Sequence, residues 1–173
     1  MANQLLKQPW FRLGATILIV SGVGIGVYSA VVSSNANHPV IAESLSPEAL
    51  QVTAFRSPTC GCCGAWIEHM QAQGFQVKDN LVEDMEAVKR EHNVPGNLAA
   101  CHTAVVNGYV VEGHIPAADV NRLLTEKPEV LGIAVPGMPI GSPGMESETV
   151  KEPYTVFTFD QRGQTTTFQD HTS

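Results

Sequence analysis

The sequence predicts an α/β domain in which a small mixed sheet is flanked by helices and followed by a C-terminal loop and hairpin. Three observations predict it. Strand-like and helix-like apolar periods alternate between Leu50 and Leu124. Asn107-Gly108 divides two apolar runs as a tight hairpin does. A Gly/Pro/Met-rich stretch then separates this block from a second pair of strand-like runs.

Leu50 to Phe55 alternates, with Leu50, Val52 and Ala54 set against Gln51 and Thr53, and reads as a short strand. Ser57-Pro58-Thr59 turns the chain. Ile67 and Met70 recur at helical spacing between Gly64 and Gln73, with Cys63 one turn earlier on the same face and Gly74 as the stop. Phe75 to Val82 is a second strand. Glu83 to His92 is a helix with Met85 and Val88 inward and Glu83, Asp84, Glu86, Lys89 and Arg90 directed to solvent, and Pro95-Gly96 ends it. Thr103 to Val106 and Tyr109 to Val111 flank the hairpin turn. Pro116 opens a helix whose Val120, Leu123 and Leu124 face the sheet. From Gly132 to Ser147, Gly and Pro are frequent enough to forbid regular structure, and Tyr154 to Phe159 with Thr165 to Phe168 form a terminal hairpin. Strand, helix, strand, helix, hairpin, helix is the order of the thioredoxin-like fold, where helices cover a small mixed sheet.

The N-terminus is of another kind. Residues 1–36 hold Lys7 and Arg12, no acidic residue, and an apolar run from Leu13 to Val32. A basic flank ahead of an apolar stretch directs a chain to the membrane and keeps the flank cytoplasmic. Two fates fit: cleavage after Ala36, where Ser34-Asn35-Ala36 offers small residues, or retention as a membrane anchor about 20 residues long. Either way the remainder is exported, with Asn37 to Pro47 as a polar tether (residues 37–48) ahead of one domain over residues 49–170. Losing residues 1–36 takes the net charge from −7 to −9, and no Lys/Arg cluster follows Ala36. That surface repels a phosphate backbone, which excludes nucleic acid as a partner, and it concentrates cations.

Four cysteines in an exported chain are read first as disulfides. Their spacing opposes that reading, because Cys60, Cys62 and Cys63 crowd into four residues and only Cys101 is distant. Cys60 and Cys63 stand two residues apart after a strand and at a helix start, where unsatisfied helix N–H groups stabilise a thiolate. Such a dithiol exchanges disulfides or binds a soft metal. Cys62 favours metal, since a third adjacent sulfur would scramble exchange but adds a donor for monovalent copper. Zinc remains the alternative ion, disfavoured because one turn plus a single remote sulfur makes a poor tetrahedral cage.

Cys101-His102, just before the third strand, is placed to bring a fourth sulfur and an imidazole to the cluster. Their competing roles are a small buried hydrophobe and a hydrogen-bonded core histidine. Met138 and Met145, in the loop from Pro136 to Met145, supply soft thioethers that either cap the cluster or plug the edge of the core. His114, before Pro116, is an accessory candidate. His69 lies about 10 Å down the helix from Cys62 and reads as a surface histidine. Trp66, one turn beyond Cys62, either shields the sulfurs or simply packs.

Ser57-Pro58-Thr59-Cys60-Gly61-Cys62-Cys63-Gly64-Ala65-Trp66, Cys101-His102-Thr103-Ala104, Gly108 to Ala117 and Ala134 to Met145 together resemble the CopG-like family of exported metal-binding proteins, over about Val52 to Phe168. The resemblance implies a thioredoxin-like fold, a place in copper resistance, and copper bound through Cys60, Cys62, Cys63 and Cys101. It implies copper ions as ligand and, as protein partner, a copper exporter or a periplasmic copper chaperone. Thioredoxin enzymes place a cis-proline beside the dithiol; here Ala100-Cys101-His102-Thr103 has none, which disfavours peptide disulfide exchange. The expected function is therefore periplasmic handling of monovalent copper, coupled to dithiol/disulfide change. The rival is a thiol-disulfide oxidoreductase or copper redox enzyme acting through Cys60 and Cys63.

Overall fold

The computed structural model describes residues 45–172. The expected leader or anchor over residues 1–36, and the tether up to residue 44, lie outside the described residues. Eleven elements follow in order: β1 (Gln51–Arg56), α1 (Gly61–Ala72), β2 (Gln76–Leu81), α2 (Met85–Glu91), a 3-10 turn (Gly96–Leu98), β3 (His102–Val106), β4 (Tyr109–Glu112), α3 (Ala117–Glu126), β5 (Gly132–Ala134), β6 (Tyr154–Phe159) and β7 (Thr165–His171). The strands form one open, mixed sheet in the order β2-β1-β3-β4-β5-β6-β7. β1–β2 and β4–β5 are parallel and the other pairs antiparallel. This is a mixed sheet flanked by helices, of thioredoxin-like architecture.

Two expectations change. Gly132–Ala134 is a strand, not part of an irregular loop, and its short run joins the terminal hairpin to the main sheet. Glycine is required there rather than disruptive: a Cβ on Gly132 would collide with the Val110 carbonyl across the strand pair. Lys89, assigned to solvent from its helix position, is only 5% exposed. α2 packs on β1 and β3, and its ammonium reaches Glu112 and Thr103 inside the domain.

Period-two alternation sorts the sheet's side chains onto two faces. Val52 and Ala54 of β1, Ala104 and Val106 of β3, and Val111, Ile133 and Val156 form the larger core with Trp66, Ile67 and Met70 of α1 and Val120, Leu123 and Leu124 of α3. On the other face Val110, Ala134 and Phe159 pack with Leu98. β3 divides the chemistry in the same way: His102 shares the face of Ala104, whereas Thr103 stands opposite Glu112 on the α2 side.

The register explains how distant cysteines meet. The last residue of β1, Arg56, pairs with His102, the first residue of β3. The turn that leaves Arg56 runs into Cys60, the N-cap of α1, and the residue entering β3 is Cys101.

Candidate metal centre

Cys60 caps α1, Cys62 and Cys63 lie in its first turn, and Cys101 approaches from the start of β3. Their sulfur atoms all lie within 4.8 Å of one another. Cys60 and Cys63 are joined in a disulfide, while Cys62 and Cys101 are free. Cys62 Sγ is 3.5 Å from Cys60 Sγ. Cys63 is fully buried and the other three are partly exposed, so the site opens to solvent at the helix mouth.

A second trio overlaps the first. Cys101, His102 and His114 each offer a ligand atom within 4.8 Å of the other two. His114 Nδ1–H donates to the Pro143 carbonyl at 2.8 Å, which turns Nε2 toward Cys101 Sγ at 3.2 Å. Gly113 makes this return possible. Its φ is +81°, and a Cβ there would stand 2.6 Å from the Val135 carbonyl and 2.7 Å from Ala100 Cβ. His102 is 1% exposed and lies against Trp66, ring centroids 4.4 Å apart, and against His114, 5.0 Å away. Neither of its ring nitrogens has a hydrogen-bond partner.

The electrostatics follow from burial. The Cys101 thiol is pushed up to about 12, first by removal from water and then by the neighbouring Cys62. The imidazole of His102 is held well below its usual range by desolvation and then by His114 and Lys89; that of His114 is also lowered, by desolvation. Neutral imidazoles and sulfurs in contact make a Cys/His cluster capable of coordinating a metal.

A family model described as "Protein of unknown function, DUF411" matches residues 98–145, which contain Cys101, His102, His114 and the Met loop. No curated protein matches the chain. Among solved structures, the chain is similar to form 1 of a copper resistance protein CopG, at 42% identity and a TM-score of 0.69, covering 72% of this chain and 99% of that one. Form 2 of the same protein is 43% identical, with a TM-score of 0.68 and coverage of 70% and 98%. The chain belongs to the CopG copper-resistance family.

The remaining candidates of this CopG family member are placed as follows. Met138 is 53% exposed and lines an open groove with Val135, Pro139, Tyr154 and Phe157. Met145 is half-buried and directly follows Gly144. Gly144 lies on the first turns of α1: with φ +82°, its Cβ would be 2.6 Å from the Cys62 carbonyl and 2.7 Å from Trp66 N. The Met loop is therefore clamped beside Cys62 by a close backbone approach and by the Pro143–His114 bond. Trp66 is fully buried, donates through Nε1–H to the Ile115 carbonyl at 2.9 Å, and packs on His102. His69 is not a plain surface residue. It is half-buried, and its Nε2 accepts the Ala117 N–H at 3.2 Å, capping α3 where Pro116 offers no side-chain cap.

Sequence reading missed the polar anchor beneath Cys101. The fully buried Glu112 carboxylate accepts from Ala100 N–H at 2.7 Å, from the Thr103 hydroxyl at 2.6 Å and from Lys89. The signal was present: Glu112 is two residues from Val110 in a strand and so faces the same interior. By fixing Ala100, it fixes the backbone that presents Cys101.

The raised Cys101 thiol gives a direct test. Relative to an ordinary thiol, a value of about 12 against 9.0 leaves about a thousandfold less thiolate at neutral pH. In the metal-free native protein, Cys101 is expected to react with iodoacetamide orders of magnitude more slowly than after unfolding in urea. Peptide mass spectrometry over a time course reads both rates, and native labelling at the unfolded rate would contradict the assignment.

Proposed function

We propose that this protein handles monovalent copper in an exported compartment, binding it through Cys60, Cys62, Cys63 and Cys101 when the Cys60–Cys63 pair is reduced. The single observation that supports this most is the convergence of sulfurs from α1 and β3 within 4.8 Å. Thiolate, not disulfide sulfur, is the metal ligand, so opening the Cys60–Cys63 bond doubles the number of available thiols from the two that are free here. Closing it removes two donors and favours release. Metal load is then linked to the redox state of the dithiol, with a copper exporter or a periplasmic copper chaperone as the partner that takes or gives the ion. Met138 and Met145 would serve as soft acceptors along the Met loop. Copper is preferred to zinc because the donors are crowded sulfurs and because the similar solved proteins are named for copper resistance.

The test is metal content and thiol titre on one sample, reduced without oxygen and then oxidised. Reduced protein is expected to retain Cu(I) against a competing chelator and to prefer it to Zn(II). Cys60→Ser with Cys101→Ser is expected to weaken retention by more than the roughly 10–100-fold typical of losing a mere supporting residue. Unchanged uptake in that variant, or equal preference for zinc, would overturn the reading.

The disulfide at the mouth of α1 supports a second reading, thiol-disulfide exchange or copper redox chemistry through Cys60 and Cys63. Reduction of a model disulfide no faster than by a free small dithiol would reject the exchange activity.

A further inference from the structure

We infer that the open groove between the Met loop and β6 is the docking site for an extended segment of a partner protein, one that carries Lys or Arg beside an apolar side chain. The partner's task, taking or giving the ion, rests on the copper reading above; the groove itself is built from residues other than the sulfurs.

Its walls are apolar and rigid. Met138, Tyr154 and Phe157 line the groove together with Pro136, Pro139 and Pro153. Each proline fixes one backbone dihedral. Tyr154 is held by stacking on His171, ring centroids 4.7 Å apart and 20° from parallel, and His171 Nε2–H donates to the buried Asp119 carboxylate at 2.6 Å. A surface ordered before its ligand arrives loses little freedom on binding, and a held aromatic ring makes a good anchor. Among the described residues only three large hydrophobic side chains are exposed, Leu81, Met138 and Val150, and two of them belong to the segment that walls this groove. A lone exposed apolar residue needs no explanation; Met138, 53% exposed in one groove with two half-buried aromatic rings, does.

Charge identifies the occupant. Glu152 is the one charged residue lining the groove, where its Oε2 accepts from Ile140 N–H at 2.9 Å, and Glu146 and Glu148 stand exposed on the same segment. The segment's one basic residue, Lys151, packs its stem on Gly141 and lines the adjoining pocket with His171 instead. A second copy of this chain, with its net charge of −7, would bring acid against acid. A segment with Lys or Arg next to Leu, Met or Phe matches the groove in both charge and polarity. The groove is open rather than enclosed, which suits a stretch of chain and not a small molecule.

Its position gives the docking a use. Arg56 pairs with His102, Thr103 with Glu112 and Glu112 with Ala134, so the chain leaves β5 for the groove at the end of the sheet where Cys101 enters β3. The far end of the same loop is fixed on α1, with Gly144 against the Cys62 carbonyl. A segment seated on Met138 and Tyr154 thus brings its protein to the sulfur end of the domain, away from the Asn107-Gly108 turn.

The experiment pans a phage library of random linear peptides against the metal-free full chain. Enriched sequences are expected to combine Lys or Arg with Leu, Met or Phe and to be poor in Asp and Glu. A synthetic peptide of the commonest sequence is expected to bind Met138→Ser at least about fivefold more weakly than native protein. Glu152→Gln, which keeps an acceptor for Ile140 N–H, is expected to weaken it about two- to fivefold, and added salt to weaken it further. Glu48→Gln, beside Asn107 at the opposite end, is expected to leave it unchanged. No enrichment, an acidic consensus, or binding indifferent to both groove substitutions overturns the inference. Self-association in sedimentation that Met138→Ser abolishes would give the groove to a second copy and overturn it as well. Copper held by reduced protein that selects no peptide sinks the docking alone; peptides selected by protein that fails to hold copper leave the groove standing and sink the copper reading.

Discussion

Glu112→Ala is expected to lower the unfolding free energy of the metal-free protein by about 3–5 kcal/mol, read as an earlier urea midpoint with an unchanged slope. The carboxylate is fully buried and serves three donors: Lys89, the Thr103 hydroxyl and Ala100 N–H. Burial raises its pKa, while Lys89, Thr103 and Ala100 act to lower it, so the charge is tolerated only because its partners are in place. Removing it leaves the Lys89 ammonium, itself 5% exposed, without a counter-charge. Removing both charges is a different matter. Lys89→Met with Glu112→Leu discards the uncompensated ion and is expected to recover much of the loss, because apolar replacements of a buried pair are often neutral or better. The Ala100 N–H bond is still missing in that double variant, so copper retention should recover less than stability does. A loss below about 1 kcal/mol for Glu112→Ala would mean that Lys89 swings out to water and that the pair is not a structural anchor.

That anchor also marks where the sequence was readable and where it was not. Alternation in β1 and helical spacing in α1 placed Val52, Ala54, Ile67 and Met70 in the core, where all four are found. Asn107-Gly108 gave the β3–β4 turn. Both patterns are local, and local periods survive folding. Lys89 was misplaced because a charged residue on a short helix is exposed by default; only its cross-sheet partner, 23 positions later, makes burial affordable. β5 was missed because its three residues are too few to show a period, and its pairing is set by β4 and β6. The meeting of Cys101 with α1 could be expected from strand order. The inward turn of His102 could not, since it depends on the register Arg56–His102 rather than on any neighbour in sequence.

Stability of the metal-free, disulfide-bonded protein is expected to be nearly level between about pH 7 and 8 and to fall as pH drops through 6.5 toward 5; above the ordinary thiol range it falls again, because the native state keeps the Cys101 proton that the unfolded chain gives up. The cause of the acid loss is His102, whose imidazole is held well below 6.5 by desolvation first and by His114 and Lys89 next. His114 shifts in the same direction for the same leading reason. In the unfolded chain both rings titrate near the ordinary value, so below 6.5 the unfolded state binds protons that the native state refuses, and acid favours unfolding. A histidine that stays neutral in the native protein down to pH 5 forfeits about 2 kcal/mol relative to pH 7. The raised Glu112 carboxyl has the opposite sign, since the native state binds its proton more readily than the unfolded chain does. Comparing native protein with His102→Phe, by urea unfolding at several pH values from 7.5 to 5, cancels that common contribution. The variant is expected to lose markedly less stability across the range. Equal slopes would mean that His102 accepts a proton without penalty, with the Gly113 backbone, which acts to raise its pKa, outweighing the desolvation that lowers it.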